Sequence, residues 1–251
     1  MNSSSRPGRL AAVLDHTAAS INLTFHDVVG SADELTSPFD STLESFQGIL
    51  DLCRRHDLCS RTRLYFDDNH LSLYDLVLDV VDPSEFQEVV VAVPVTSIGE
   101  AGKGSSEHIG QASSRGVRFA PHGYSHVRLA SYDVHGQRLA TPLLGPYADR
   151  LAENGRPLTE NEVLFQLVES RGYFTDSACS EFVLPYGCYN ETTLALNQRL
   201  GVYDVLTTAD FALDIGQELR PRLLIEASDV AESVEQRLFE EVTIALCPNC
   251  D

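Results

Sequence analysis

The chain has 251 residues, of which 43% are hydrophobic, and a single α/β barrel can occupy this length without dividing. We therefore expect one domain over residues 1–251. The formal net charge of −19 opposes binding to nucleic acid and to anionic membrane surfaces, so we expect neither as a partner. No apolar run approaches the roughly 20 residues that span a bilayer.

The first 20 residues include a short apolar stretch, but Asp15 and His16 interrupt it before the core of a signal peptide is complete. We therefore expect a cytoplasmic protein. Cysteines stay reduced in that compartment, so we predict free thiols and no structural disulfide. The six cysteines are Cys53, Cys59, Cys179, Cys188, Cys247 and Cys250.

Short apolar runs rich in β-branched residues alternate with helical patterns, which predicts an α/β fold of parallel strands joined by crossover helices. Apolar residues recur at helical spacing over 41–55, which indicates an amphipathic helix. A second helix is predicted over 190–200, between a capping side chain and Gly201. The predicted strands are 21–25, 63–66, 88–94, 117–120, 181–184, 203–207 and 222–226.

Two longer connections are predicted to lie near the site. Residues 98–110 form a glycine- and serine-rich loop after a predicted strand, where an α/β barrel places its ligand contacts. Residues 132–171 form a polar insert with a helix predicted around 160–169. We expect this insert on the outside of the domain or over the site as a lid.

An acidic pair, Asp67 and Asp68, follows the second predicted strand. Adjacent side chains point in different directions, so one carboxylate can bind a cation while the other faces a water molecule on that cation. The same residues would also serve simply to cap the next helix, and the motif alone leaves both interpretations open.

Two histidines four residues apart, His122 and His126, follow the predicted strand 117–120. On one helical turn both imidazoles can reach a single divalent ion. With Asp68 they form a set of two imidazoles and one carboxylate, which leaves coordination positions for water and substrate. The alternative is that both histidines are solvated surface side chains.

Two further strand ends carry candidate residues. His26 follows the first predicted strand, where it is a third ligand, a general acid or a histidine held by hydrogen bonds at a strand end. Pro185 and Gly187 follow the strand 181–184 and shape a turn that can expose a backbone N–H to a developing oxyanion.

In this order, the four segments resemble the polysaccharide deacetylases of carbohydrate esterase family 4, from about residue 22 to about residue 226. The segment Phe66-Asp67-Asp68 is similar to that family's Thr-Phe-Asp-Asp-Gly motif. The segment from His122 to His126 is similar to its His-Ser/Thr-x-x-His motif. The resemblance implies a distorted (β/α) barrel of about seven strands.

The resemblance also implies a divalent metal cofactor, zinc or another first-row ion, held by Asp68, His122 and His126. Asp67 would be the general base that takes a proton from water on the metal. The implied enzyme is a metal-dependent hydrolase of carbon–nitrogen bonds.

In the turn Pro185-Tyr186-Gly187, the resemblance implies that the Tyr186 amide stabilises the oxyanion and that Pro185 and Gly187 border the substrate. Many family members keep their general-acid histidine near the C-terminus, whereas the last histidine here is His135. A circularly permuted branch, typified by the poly-N-acetylglucosamine deacetylases, has it in an N-terminal segment. The segment around His26 is similar to that one, which implies that His26 is the acid.

The chain departs from the family pattern at three points. Asn69 stands where the acidic motif usually has glycine, and the arginine that often precedes the Pro-Tyr turn is missing near Phe182. The chain also contains no tryptophan, so the family's tryptophan-bearing motif is absent.

We therefore expect an N-deacetylase that converts an N-acetyl amino sugar to amine plus acetate, with a small or carrier-linked intracellular substrate. One alternative is hydrolysis of another C–N bond, in a cyclic imide or a formamide, on the same metal site. The other is a non-catalytic carbohydrate-binding relative, which Asn69 and the missing C-terminal histidine suggest.

Cys247 and Cys250 form half of a zinc-ribbon pattern at the end of the chain. Two ligands leave a zinc ion unsatisfied, so we predict a frayed tail with free thiols. The alternative is a homo-oligomer in which two chains complete a set of four sulfurs.

Overall fold

The computed structural model describes residues 19–129, 158–174, 180–209, 213–214 and 219–246. Seven parallel strands in the order β6-β5-β4-β1-β10-β8-β7 form a nearly closed barrel, which confirms the predicted α/β barrel. The strands are β1 Ser20–Phe25, β2 Val28–Val29, β3 Ser41–Thr42, β4 Thr62–Phe66, β5 Glu88–Val93, β6 Arg118–Pro121, β7 Glu181–Val183, β8 Val205–Ala209, β9 Leu213–Asp214 and β10 Leu219–Leu224. The short strands β2 and β3 pair with each other, and β9 pairs antiparallel with β1.

Helices surround the barrel, and their ends follow ordinary capping rules. The helix over 41–55 begins after Thr42, whose hydroxyl accepts from the Ser45 amide. The helix over 190–200 has Asn190 as its N-cap and ends at Gly201 with φ of 57°, as predicted. The helices are α1 Leu43–Arg55, α2 Ser106–Ser114, α3 Glu160–Tyr173, α4 Glu191–Leu200 and α5 Ala231–Leu246, with a short π-helical segment Leu73–Val77 and one α-helical turn Leu78–Val80.

Several sequence predictions differ from the structure in their bounds or placement, and the strand predicted over 203–207 runs over Val205–Ala209. The last strand begins at Leu219, three residues before the predicted start, because polar Arg220 and Arg222 face the interior and hide the strand pattern. The loop predicted over 98–110 ends at Ser105, which caps α2. Helix α3 packs into the apolar core, whereas residues 132–157 of the predicted insert lie outside the described residues.

Two apolar cores lie between the barrel and its helices. The larger one lies under α1 and α5, where the rings of Phe25, Phe46 and Phe66 pack with centroids 4.9 to 5.9 Å apart. The smaller one holds α3 and α4 against β7 and β8. Burial of these faces supplies the main driving force for folding and fixes the strands that carry the site.

The cysteine prediction is only partly covered by the structure. Cys53, Cys59 and Cys188 are free thiols. The other three cysteines, including the C-terminal pair, lie outside the described residues. No helix in the described part of the chain is long and apolar enough to cross a membrane.

The interior of the barrel is layered along its axis, because alternate residues of each strand point inward. Strand β4 shows the order, with Arg63 near its beginning, Tyr65 in the middle and Asp67 just after its end. The middle layer combines an apolar cluster with the buried threonines Thr24 and Thr207, which are in register with Tyr65 and Val183. The cluster consists of Tyr65, Val90, Ala92, Ala120 and Val183.

Charged side chains fill the amino-terminal layer of the barrel. Glu181 is buried, accepts a hydrogen bond from the Tyr65 hydroxyl at 2.7 Å and pairs with Arg220 at 3.0 Å. It also pairs with Arg118. Arg118 lies on β6 and Glu181 on β7, the two edge strands, so their ion pair spans the opening of the barrel.

We predict that Glu181→Gln lowers the free energy of unfolding by about 3–5 kcal/mol, because it leaves two arginines facing a neutral amide in a buried network. Urea denaturation measures this loss. Glu85→Gln is the matched control, since Glu85 pairs with Arg54 at the surface and its loss is expected to cost less than about 1 kcal/mol. Equal losses in the two variants would contradict a structural role for the network.

Candidate metal and catalytic site

The site lies at the carboxyl ends of the barrel strands. The amide of Asp67 donates to the carbonyl of Phe25 at 2.8 Å, which holds the end of β4 beside the end of β1. A pocket of about 500 Å³ opens there. Of the predicted residues, His26, Asp67, Asp68, His126, Tyr186 and Gly187 line the pocket, whereas His122 and Pro185 are buried next to it.

The three predicted metal ligands converge on one point. Nε2 of His126 lies 3.1 Å from Oδ1 of Asp68, and Nε2 of His122 lies 3.6 Å from the same oxygen. One ligand atom from each residue falls within 4.8 Å of the other two. Oδ1 of Asp68 is buried and accepts no hydrogen bond within the described part of the chain. An orphaned carboxylate oxygen between two imidazoles fits a divalent cation.

The path of the chain between the two histidines differs from the sequence prediction. The prediction placed His122 and His126 on one helical turn, but the segment is an irregular loop. Gly123 has φ of 80° and His126 has φ of 48°, values outside the right-handed helical region. The two imidazoles therefore meet through a reversal of the backbone rather than through helical spacing.

His122 is oriented by the opposite edge of the barrel. Its Nδ1 lies 2.8 Å from the carbonyl oxygen of Val183, which can only accept, so Nδ1 carries the hydrogen. The other nitrogen, Nε2, then presents its lone pair toward Asp68. Burial lowers the pKa of His122 to about 4, which keeps the imidazole neutral and able to bind a metal at neutral pH.

Asp67 is held by an arginine that the sequence analysis missed. Nη1 of Arg222 donates to Oδ1 of Asp67 at 2.8 Å and to the Thr24 hydroxyl at 3.1 Å. Its guanidinium also lies over the ring of Tyr65, 5.1 Å from the centroid. Burial opposes ionisation of Asp67, but the charge and the hydrogen bond of Arg222 act in the opposite direction, and the carboxyl pKa lies below its usual range. Asp67 is therefore ionised and fixed in direction.

His26 lies beside this carboxylate at the end of β1. Its Nδ1 is buried and has no hydrogen-bond partner within the described residues. Its ring packs against Phe39 with centroids 5.4 Å apart. Burial lowers the pKa of His26, while Asp67 and Asp68 act in the opposite direction. The imidazole thus has an unused nitrogen at the pocket.

The turn at Tyr186 is held in an unusual conformation. Tyr186 has φ of 58°, and its ring lies 4.6 Å from that of His126. A Cβ on Gly187 would come within 2.6 Å of the Ala209 amide nitrogen, so only glycine fits there. The amides of Gly187 and Cys188 donate within the turn. The Tyr186 amide donates to no acceptor within the described ranges, so it is available to a ligand.

Asn69 fits the position at which the family usually has glycine. Its φ is 55°, a left-handed conformation that asparagine tolerates better than most residues. Its amide donates to the Gly104 carbonyl at 3.0 Å and accepts from the Tyr74 hydroxyl at 2.7 Å. The replacement therefore keeps the backbone geometry and adds a link to the loop that contains Gly104, so Asn69 is no reason to infer lost function.

Gln166, also missed by the sequence analysis, holds the loop between His122 and His126. It lies on α3, and its Oε1 accepts from the amides of Tyr124 at 2.8 Å and Ser125 at 3.0 Å. Its Nε2 donates to the Ser125 hydroxyl at 3.0 Å. In the sequence, the available signal was a glutamine between the apolar residues Phe165 and Leu167, but nothing near it identifies its partners.

We predict that Gln166→Leu weakens binding of a divalent metal about 10- to 100-fold, since the loop carrying His126 loses three hydrogen bonds. Competition with a chromogenic chelator measures the affinity for zinc. Glu169→Leu, on the exposed side of the same helix, is the control and should bind zinc like the parent protein. Unchanged affinity in Gln166→Leu would show that the loop does not need this support.

Comparison with known proteins identifies the fold. No protein-family model and no curated protein matches the chain. The structure is similar to the Streptococcus pyogenes deacetylase PplD in complex with acetate, at 18% identity and a TM-score of 0.63 over 88% of this chain and 99% of that one. It is also similar to a de-N-acetylase from Aggregatibacter actinomycetemcomitans, at 16% identity and a TM-score of 0.60 over 87% and 99%.

A third similar structure is a polysaccharide deacetylase from Bacillus cereus, at 11% identity and a TM-score of 0.62 over 88% of this chain and 69% of that one. Sequence identity is low in all three, and it is the arrangement of the barrel that is shared. The chain therefore has the fold of the polysaccharide deacetylases.

Proposed function

We propose that this chain is a metal-dependent N-deacetylase that hydrolyses the acetamide of an N-acetyl amino sugar to acetate and a free amine. The observation that carries the proposal is the orphaned Oδ1 of Asp68 between His122 and His126, with the ionised Asp67 beside it. The similarity to a deacetylase in complex with acetate and to a de-N-acetylase supports this choice among C–N hydrolases.

We propose zinc as the metal, because two imidazoles and one carboxylate are a common ligand set of catalytic zinc. When bound, such an ion polarises the acetamide carbonyl and lowers the pKa of water toward about 7. A manganese, iron or cobalt ion is compatible with the same donors, and the proposal needs only one divalent ion at this place.

The residues around the metal position have separate tasks in the proposal. Asp67 takes the proton of the attacking water, and Arg222 keeps its carboxylate aimed at the pocket. The unused amide of Tyr186 donates to the oxyanion that develops on the carbonyl. His26 gives a proton to the departing amine, since His26 lines the same pocket and its Nδ1 has no hydrogen-bond partner among the described residues.

The pocket favours a compact substrate. Its volume of about 500 Å³ lies in the range typical of small-molecule sites and accommodates one sugar ring with its acetamide. We therefore extend the proposal to a small or carrier-linked acetamido sugar, presented singly to the site. Separately, on the sequence features of the first 20 residues, we propose that this substrate is intracellular.

We predict that Asp67→Asn lowers kcat for acetamido-sugar hydrolysis by about 10²- to 10⁴-fold, because the amide side chain cannot take a proton. Acetate release measures the activity. Bound zinc is measured in parallel and should be unchanged, because Asp68, His122 and His126 are intact.

Chelator treatment of the parent protein should abolish activity, and added zinc should restore it. Hydrolysis that persists unchanged in the chelated protein would refute the proposal.

We predict that His26→Gln slows hydrolysis of the acetamide by about 10²-fold or more but spares hydrolysis of 4-nitrophenyl acetate. A nitrophenolate leaves without protonation, whereas an amine needs a proton, so only the amide depends on the acid. Phe39→Leu, which changes the packing of the same ring, is the control and should affect both substrates alike. An equal loss on both substrates in His26→Gln would assign His26 a structural role.

A further inference from the structure

The pocket contains a cation that the proposed chemistry does not use. Lys103 is the single lysine of the chain and lines the pocket in a half-buried position. Main-chain hydrogen bonds on both sides fix its place, from the amide of Leu71 to the carbonyl of Gly102 and from the amide of Gly104 to the carbonyl of Asn69, each at 2.9 Å. Lys103 is thus attached to the loop that follows the metal ligand Asp68.

The segment from Gly102 to Gly104 can approach Asn69 and Tyr74 closely only because residue 104 is glycine. A Cβ on Gly104 would lie 2.3 Å from the ring of Tyr74 and 2.7 Å from Oδ1 of Asn69. The segment from Gly102 to Gly104 is therefore built against the acidic loop, and the Lys103 side chain has a fixed origin at the pocket wall.

The ammonium of Lys103 has N–H groups that donate to no acceptor among the described residues. Its Nζ lies 3.1 Å from Nε2 of His70, while Nδ1 of His70 lies 3.3 Å from Oδ2 of Asp27. Because Nδ1 donates to Asp27, Nε2 is an acceptor and takes one of the three ammonium hydrogens. Within the described ranges, no carboxylate lies within 4.0 Å of Nζ, and His70 is its only hydrogen-bond partner.

Apart from Oδ1 of Asp68, which faces His122 and His126, the other charged groups of the pocket already have partners. Arg222 pairs with Asp67 at 2.8 Å. The carboxylate of Asp40 accepts from the amides of Thr36 and Ser37, both at 2.7 Å. Asp27 accepts from the Ser72 hydroxyl in addition to His70. The half-buried ammonium of Lys103 therefore interacts most favourably with an anionic group on a bound ligand.

We propose that Lys103 binds an anionic substituent of the substrate, so that the amino sugar that is deacetylated carries a carboxylate or a phosphate. This inference rests on the proposed function and specifies its substrate class. With a chain charge of −19, an anionic substrate is repelled at long range, and a cation inside the pocket supplies the local attraction. Loss of a hydrogen bond to a charged group corresponds to about 10- to 100-fold in affinity.

The test compares four zinc-loaded proteins on three substrates: neutral N-acetylglucosamine, its 6-phosphate, and N-acetylmuramic acid as the carboxylate. In the parent protein we expect kcat/KM to be about 10- to 100-fold higher for at least one anionic substrate. Lys103→Gln should remove that preference mainly by raising KM, and Lys103→Arg should keep part of it. Arg54→Gln removes one positive charge from the surface and is the matched control.

Calorimetry on the Asp67→Asn background measures binding without turnover, with glucosamine 6-phosphate, muramic acid and glucosamine as ligands. Tighter binding of an anionic ligand that disappears in Lys103→Gln supports the inference, and the better ligand identifies phosphate or carboxylate. Equal binding of neutral and anionic ligands, or an equal loss for both in Lys103→Gln, overturns it. If the proposed function itself is wrong, the result is different: the parent protein hydrolyses none of the three substrates, whichever ligands it binds.

Discussion

The hydrogen bond between Nδ1 of His122 and the carbonyl oxygen of Val183 links barrel closure to ligand geometry. His122 follows β6 and Val183 ends β7, the two edge strands of the sheet, so the contact joins the open sides of the barrel. The same contact fixes the tautomer that turns Nε2 toward Asp68. At the other end of the barrel, the pair of Arg118 and Glu181 spans the same opening. Closure of the barrel and the orientation of His122 therefore depend on the same two strands, β6 and β7.

The alternation of side chains along a strand explains why the adjacent residues Asp67 and Asp68 contact different partners. In β4 the inward positions are Arg63, Tyr65 and Asp67, so Asp67 continues the strand pattern into the barrel and meets Arg222. Asp68 has φ of 67°, which turns its side chain toward His126 at the pocket rim. Adjacent carboxylates thereby reach different partners: Asp67 meets an arginine that keeps it ionised, and Asp68 meets the imidazoles of His122 and His126.

Much of this arrangement could be predicted from the sequence, because it depends on local patterns. Apolar runs located the strands, and polar residues at their ends located His26, Asp67 and His122 near one another. The helical geometry predicted for the histidine pair was wrong, since spacing alone cannot distinguish a helix from a loop that reverses at Gly123 and His126.

The partners that fix the site were not predictable in the same way. Arg222 is 155 residues from Asp67, and Gln166 is about 40 residues from the loop that it holds. The only sequence signal for Arg222 is an arginine within an apolar strand, where burial demands an anionic partner without specifying which one.

A crystal structure of the zinc-loaded protein with acetate tests the proposed metal site. We predict one ion bound by Oδ1 of Asp68 and Nε2 of both His122 and His126, with an acetate oxygen within hydrogen-bonding distance of the Tyr186 amide. An ion bound elsewhere, or an acetate remote from Asp67 and Tyr186, would contradict it.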